Sequence, residues 1–319
     1  MPLRHRALAV FVATIWGVNF VITDVALRDV PPLTLTALRF AASALPLLFF
    51  VPRPTAKARF VIAYGFVFGC LKFGPLYVAM AHGMPAGLAS LVLQAQALFS
   101  VLLASGVLGE RMRTTQLAGI LIASGGIAAL AWGNGEAATL VGFGLTIAAA
   151  AAWAIANVIV RASGETRPLS MLAYSSLVPP LPLIGLSAAL DGPGATVHAL
   201  THLTVGAIGA ILFIAYVSTL LGFGLWNKLL ARYPVARVAP FSLLVPVVGL
   251  ATAAVVLHEQ ISLPVALAAL TVLAGLALVT YAPRTRVLAP EVGAREVGAA
   301  GQRGGAVAGP AALSSQTVP

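Results

Sequence analysis

The chain reads as ten long apolar runs separated by short polar breaks. Their limits fall near 7–25, 33–51, 60–80, 87–108, 114–132, 140–160, 169–190, 204–226, 235–257 and 263–282. Each run has about 20 residues, the length an α-helix needs to cross roughly 30 Å of hydrocarbon. The breaks carry turn chemistry: Val30-Pro31-Pro32, Arg53-Pro54, Gly83-Met84-Pro85, Gly133-Asn134-Gly135, Asp191-Gly192-Pro193-Gly194 and Tyr233-Pro234. They are too short to hold a soluble catalytic domain. Beyond Arg284 the chain is rich in Gly, Ala, Pro and Ser and loses its apolar period, so 283–319 is expected to be a disordered cytoplasmic tail. The expected fold class is all-α integral membrane, with ten transmembrane helices.

Composition narrows the class. Of 319 residues, 60% are hydrophobic and 9% charged, with a mean hydropathy of +0.98. A soluble domain averages about 25% charged residues, so too few are present to cover a soluble surface. A disordered chain and a disulfide scaffold are excluded too. Cys70 is the single cysteine and sits inside an apolar run, so one chain offers neither a disulfide framework nor a cysteine metal site. Arg4 and Arg6 before an apolar stretch imitate a signal peptide, but equivalent stretches follow along the whole chain.

The net charge of +10 would suggest nucleic acid in a soluble protein. Position decides otherwise. Fourteen of the 19 basic residues fall near the chain's two termini and in the even-numbered loops: Arg4, Arg6, Arg53, Lys57, Arg59, Arg111, Arg113, Arg161, Arg167, Lys228, Arg232, Arg237, Arg284 and Arg286. Arg28 alone falls in an odd-numbered loop. Cytoplasmic loops carry the excess of Lys and Arg. Both termini are therefore expected in the cytoplasm, with 1–6 as a short cytoplasmic lead. The charge sets topology, and the expected partners are membrane lipid and a small molecule, not nucleic acid.

The chain also repeats. A shift of 149 residues places Pro85 on Pro234, Glu110 on Glu259 and Gly126 on Gly275. Both copies run Pro, apolar helix, Glu, short turn, apolar helix. A weaker echo joins Trp16-Gly17-Val18-Asn19 to Trp153-Ala154-Ile155-Ala156-Asn157. Five helices separate the copies, and an odd number inverts the second. The expected organisation is two inverted five-helix repeats, 7–132 and 140–282, a transporter design with the substrate near the midplane.

Trp16-Gly17-Val18-Asn19-Phe20, Leu38-Arg39-Phe40, Pro85-Ala86-Gly87-Leu88-Ala89-Ser90-Leu91, Gly109-Glu110, Leu117-Ala118-Gly119 and Ala239-Pro240 to Pro246-Val247 carry a family resemblance over about 7–282. The chain resembles the drug/metabolite transporter superfamily, and within it the ten-helix EamA-type exporters. Residues 84–96 and 237–249 look most like exporters of cysteine and O-acetylserine; exporters of aromatic amino acids are also similar. The resemblance implies proton-motive or gradient-driven efflux of amino acids and related metabolites, neutral and aromatic or cysteine-like, across the bacterial inner membrane by alternating access through a central cavity. The alternatives kept open are a multidrug or other metabolite exporter of the same superfamily, and a passive channel.

Polar groups in hydrocarbon are expensive and so become candidate substrate contacts. At 1.5 Å per residue, Trp16, Asn19, Lys72, Gln94, Gln96, Trp153, Asn157 and Tyr216 mostly fall in the central half of the bilayer, with Tyr77 joining them as a cavity candidate. Lys72 is the sharpest: an ammonium with no mid-membrane acid, fit to attract a substrate carboxylate. A buried lysine can also release its proton, which makes protons a second candidate partner. Gln94 and Gln96 are two apart and should not share a helix face, so one is expected in the cavity and the other against a neighbour. Arg39 reads as structural, either snorkelling or pairing with an acid at the outer end such as Glu259 or Asp24. Glu110 and Glu259 read as caps or salt-bridge partners. Pro75, Pro240 and Pro246 break backbone bonding within spans and are the hinge or gating candidates. No P-loop, zinc motif or nucleophile elbow is present, so no enzyme, cofactor or metal is expected. A monomer is the expected state.

Overall fold

The computed structural model describes residues 1–108, 112–133, 139–233 and 235–281. The expected tail and the Glu110 position lie outside these. The described residues form helices joined by turns, with no strand among them. Ten helices are long and apolar enough to span a membrane: α1 (Leu3–Leu27), α2 (Pro32–Phe50), α3 (Ala58–Ala81), α4 (Ala86–Leu103), α5 (Thr114–Trp132), α6 (Leu140–Ser163), α7 (Pro168–Leu190), α8 (Val205–Arg232), α9 (Ala239–Val256) and α10 (Leu263–Thr280). Most limits agree with the apolar runs to within a few residues. α8 extends furthest beyond its run, through Lys228 to Arg232. A short helix over Pro193–Thr201 lies between α7 and α8.

Local chemistry explains the ends. Pro32 and Pro168 open helices where a missing N–H costs nothing. Thr139 and Thr204 cap α6 and α8 by accepting from the Gly142 and Ala207 amides. α6 stops at Gly164, whose φ of 64° suits a residue without a side chain. Large apolar side chains such as Phe49, Leu181 and Val205 cover the outside of the bundle, as a lipid-facing surface requires.

Inside, small residues set the spacing. α5 packs chiefly on α10, where a Cβ added to Gly119 would lie 2.6 Å from the Gly275 carbonyl oxygen. Such backbone approach replaces the hydrophobic drive that lipid removes. α1 packs against α8 and α9, α6 against α3 and α4, and α2 against α7. Between α2 and α7, Thr34 and Ser187 share a hydrogen bond of 2.8 Å and Ser187 donates to Asp191.

Among the described residues, five spans depart from regular α geometry, and one of them, α7, breaks between Ser175 and Pro180. α3 is π-helical over Gly65–Phe73 and α8 over Phe213–Leu221. α4 breaks between Val92 and Ala95, where Gln94 and Gln96 amides bond to carbonyls three residues back. α9 begins with a 3-10 turn over Ala239–Leu243. Such departures gather at functional positions.

Candidate functional site

Four of the irregular spans, α3, α4, α8 and α9, meet α1, α2 and α6 around a cavity of about 310 Å³, a size in the range of small-molecule sites. α1 contributes Trp16, Asn19, Phe20 and Thr23, spaced i, i+3, i+4 and i+7 on one face. α3 contributes Lys72, Phe73, Leu76 and Tyr77, where the π stretch hands over to the final α turns at Gly74-Pro75. Trp153 and Asn157 come from α6, one turn apart.

Eight of the nine expected substrate contacts line this cavity: Trp16, Asn19, Lys72, Tyr77, Gln94, Gln96, Trp153 and Asn157. Tyr216 does not. Tyr216 is 38% exposed, while Ser218, two residues on, lines the cavity. The expectation that Gln94 and Gln96 must part also fails. Both line the cavity because α4 breaks between Val92 and Ala95, and the regular helical face does not continue through them. Gln96 Oε1 accepts from Asn157 Nδ2 at 3.4 Å. Of the hinge candidates, Pro75 follows the π stretch, Pro240 sits in the 3-10 turn, and Pro246 is the third residue of the helix over Leu244–Val256.

Lys72 is 3% exposed. Its Nζ lies 3.7 Å from the Trp153 ring centroid, 3.8 Å from Phe73 and 4.4 Å from Phe68. Three aromatic faces can hold a desolvated cation at about 2 kcal/mol or more. Trp153 thus serves the lysine first. Trp16 donates its indole N–H to the Ser218 carbonyl and packs on Phe223 and Trp226, which ties α1 to α8.

Arg39 corrects the sequence expectation. It pairs with neither Asp24 nor Glu259. Asp24 bonds Arg28, and Glu259 accepts from the Ala86 and Gly87 amides, capping α4. Arg39 instead turns into the cavity wall, 3% exposed. Nη1 donates to the Tyr77 hydroxyl at 2.6 Å and Nη2 to Thr219 at 3.1 Å, with the guanidinium 3.9 Å over Phe73. The signal was available: Arg39 is an intramembrane cation with no acid at its depth, the argument that singled out Lys72. Among the described residues, no acidic side chain lines the cavity. Two buried polar atoms there lack a partner, Asn19 Oδ1 and Arg39 Nε.

Outside the spans, two carboxyls join separate segments. Burial pushes the Glu259 carboxyl above its ordinary range; the two α4 amides oppose this and Asp24 adds to it. Burial also raises Glu165, but hydrogen bonds from Ala56, Thr55 and Arg167 outweigh it and hold that carboxyl below its usual value. Glu165 thereby clamps the loop before α3 to the loop before α7.

The family profile of EamA-like transporters matches residues 6–132 and again 140–281. The chain belongs to the EamA-like transporter family. It is similar to a "Probable amino-acid metabolite efflux pump" of Escherichia coli (strain K12), 41% identical over 292 residues that cover 90% of this chain and 98% of the relative. A relative of the same printed name from Salmonella typhimurium is 42% identical with the same coverage. A solved crystal structure, titled only as a protein, superposes with a TM-score of 0.59 at 20% identity, covering 85% of this chain and 94% of the other; it speaks for the fold alone. The chain is a multi-pass membrane transporter and not an enzyme, which in bacteria places it in the inner membrane.

Proposed function

We propose that this transporter exports amino acids and related metabolites by alternating access through the central cavity. The observation that carries the reading is Lys72: a buried ammonium on the cavity wall, caged by rings, with no hydrogen-bond acceptor among the described residues. A substrate carboxylate is the natural fourth partner for that cation. The amides of Asn19, Gln94 and Gln96 offer donors and acceptors for the rest of the head group, and the apolar wall suits a side chain. The printed names of the two enteric relatives agree with this cargo.

Alternating access draws support from symmetry. The π stretches of α3 and α8 start 148 residues apart, close to the 149-residue sequence shift. The break in α4 and the 3-10 turn in α9 correspond under the same shift. The packing pairs exchange as well: α1 on α9 answers α6 on α4, and α1 on α8 answers α6 on α3. Two inverted five-helix halves that rock about a central site would produce this pattern. We propose a monomer, since one chain lines the cavity. A coupled proton would travel on Lys72, because no carboxylate lines the cavity among the described residues.

Counter-flow in liposomes tests the reading. Full-length protein should take up labelled amino acid faster when unlabelled amino acid is trapped on the opposite side, which a passive channel would not do. Lys72→Ala should slow exchange about 10-fold or more, the worth of a charge-assisted contact of roughly 1.5–3 kcal/mol. Exchange at the wild-type rate in Lys72→Ala would make the lysine structural. No exchange of any amino acid or derivative would remove the proposed cargo class.

A further inference from the structure

We propose that the cavity selects cargo of net negative charge, and that Arg39 is its second anion-binding residue beside Lys72. The inference rests on the amino-acid reading above and narrows it. The cargo would be amino-acid derivatives whose nitrogen is acylated, or those bearing a second acid, in preference to plain zwitterions.

The argument begins with charge. Arg39 and Lys72 are both 97% buried by their 3% exposure, both line the cavity, and both sit against the Phe73 ring. The guanidinium and the ammonium therefore share one aromatic ring as a neighbour. A buried pair of like charges is tolerated only when anions or dipoles offset it. Here Tyr77 and Thr219 supply dipoles to Arg39, and rings supply quadrupoles to both. No carboxylate enters the wall among the described residues. Asp24 and Glu259 are engaged elsewhere, with Arg28 and the α4 amides. The missing charge is left for the cargo.

The unpartnered atoms agree. Arg39 lines the cavity, and behind its two bonded nitrogens Nε is a buried donor with nothing to donate to. A buried donor left empty costs about 1–3 kcal/mol, and an anionic oxygen would recover it. Asn19 Oδ1 is a buried acceptor with nothing to accept. One orphan acceptor suits the single N–H of an amide. An α-ammonium would bring three donors and a positive charge close to two uncompensated cations, whose nearest aromatic faces are already taken. Phe20, Leu76, Met80 and Leu93 give an acyl or side-chain group an apolar wall.

The test uses the full chain in liposomes and four labelled probes: N-acetylalanine, glutamate, alanine and serine. Counter-flow of N-acetylalanine and glutamate should exceed that of alanine and serine about 10-fold or more. Arg39→Gln should erase most of that preference, while Arg39→Lys, which keeps the charge, should retain a larger share. Thermal unfolding of the purified variants in detergent, with and without 10-fold steps of N-acetylalanine, reads binding apart from transport. The anion should raise the wild-type melting temperature more than alanine does, and Arg39→Gln should lose that difference. Alanine and serine carried as fast as the anionic probes would overturn the inference and leave the amino-acid reading standing. A preference unchanged in Arg39→Gln would overturn the role of Arg39. Carriage of none of the four would overturn the inference, and the amino-acid reading with it only if the wider panel of amino acids is not exchanged either.

Discussion

At the scale of single residues, the cavity is organised by what surrounds two cations. Tyr77 is 1% exposed and holds Arg39 through its hydroxyl, with Thr23 donating to the same oxygen at 3.4 Å. Tyr77→Phe removes that acceptor from a buried guanidinium. The expected cost is about 1.5–3 kcal/mol, read as a lower unfolding temperature in detergent, whereas the same change at exposed Tyr216 should cost almost nothing. The sequence announced most of this site through one rule: polar atoms in hydrocarbon need a reason. Trp16, Asn19, Lys72 and Asn157 all follow from it. Arg39 is harder to read from sequence because acids at the outer helix ends lie within its reach; in the fold those acids are engaged with Arg28 and the α4 amides. Helix face was the other blind spot. Tyr216 and Ser218 differ by about 3 Å in height yet point to different surroundings, and apolar patterning is too uniform here to say which side faces the cavity.

At the scale of elements, the apolar runs marked the spans well, because length against bilayer thickness is a strong signal. Their internal breaks were not legible. Nothing in Gly65-Phe66-Val67-Phe68-Gly69 distinguishes a π stretch from an α-helix by hydropathy, since the tertiary setting selects it. The close backbone approach of α5 and α10 predicts its own weak point. Gly275→Val would push a branched side chain onto the Ala123 backbone, and overpacking of this kind costs about 1–3 kcal/mol. The expected result is a lower unfolding temperature, with counter-flow of the surviving protein little changed because neither helix lines the cavity. The α4 cap offers a pH test. Folding raises the Glu259 pKa from its ordinary 4.5, so the folded state binds the extra proton. Its contribution to stability is complete below 4.5 and fades as pH rises through the folded value. Glu259→Gln, neutral at every pH, should flatten that part of the profile. Unfolding temperatures of both proteins compared from pH 4 upward measure the difference.

At the scale of the whole molecule, charge placement predicts orientation. With Cys70→Ala as background, a cysteine at Lys57 should react with impermeant maleimide only from the cytoplasmic side, and one at His202 only from outside. The reverse pattern would invert the proposed topology. The Glu165 clamp predicts a coupling between the same loops: Glu165→Ala frees Thr55 and the Ala56 and Arg167 amides and should speed proteolysis there. The deepest consequence belongs to the pair Arg39 and Lys72. In an alternating carrier the membrane field drops across whichever barrier is closed, so fixed charges at the centre sense the switch as if they had crossed the bilayer. Each unit charge is worth about 2.3 kcal/mol per 100 mV. An empty cavity holding two cations would therefore act as a voltage sensor, its resting orientation biased by the membrane potential, and would give a transient displacement current without any cargo. A dianionic cargo would silence that current by cancelling the charge it rides beside.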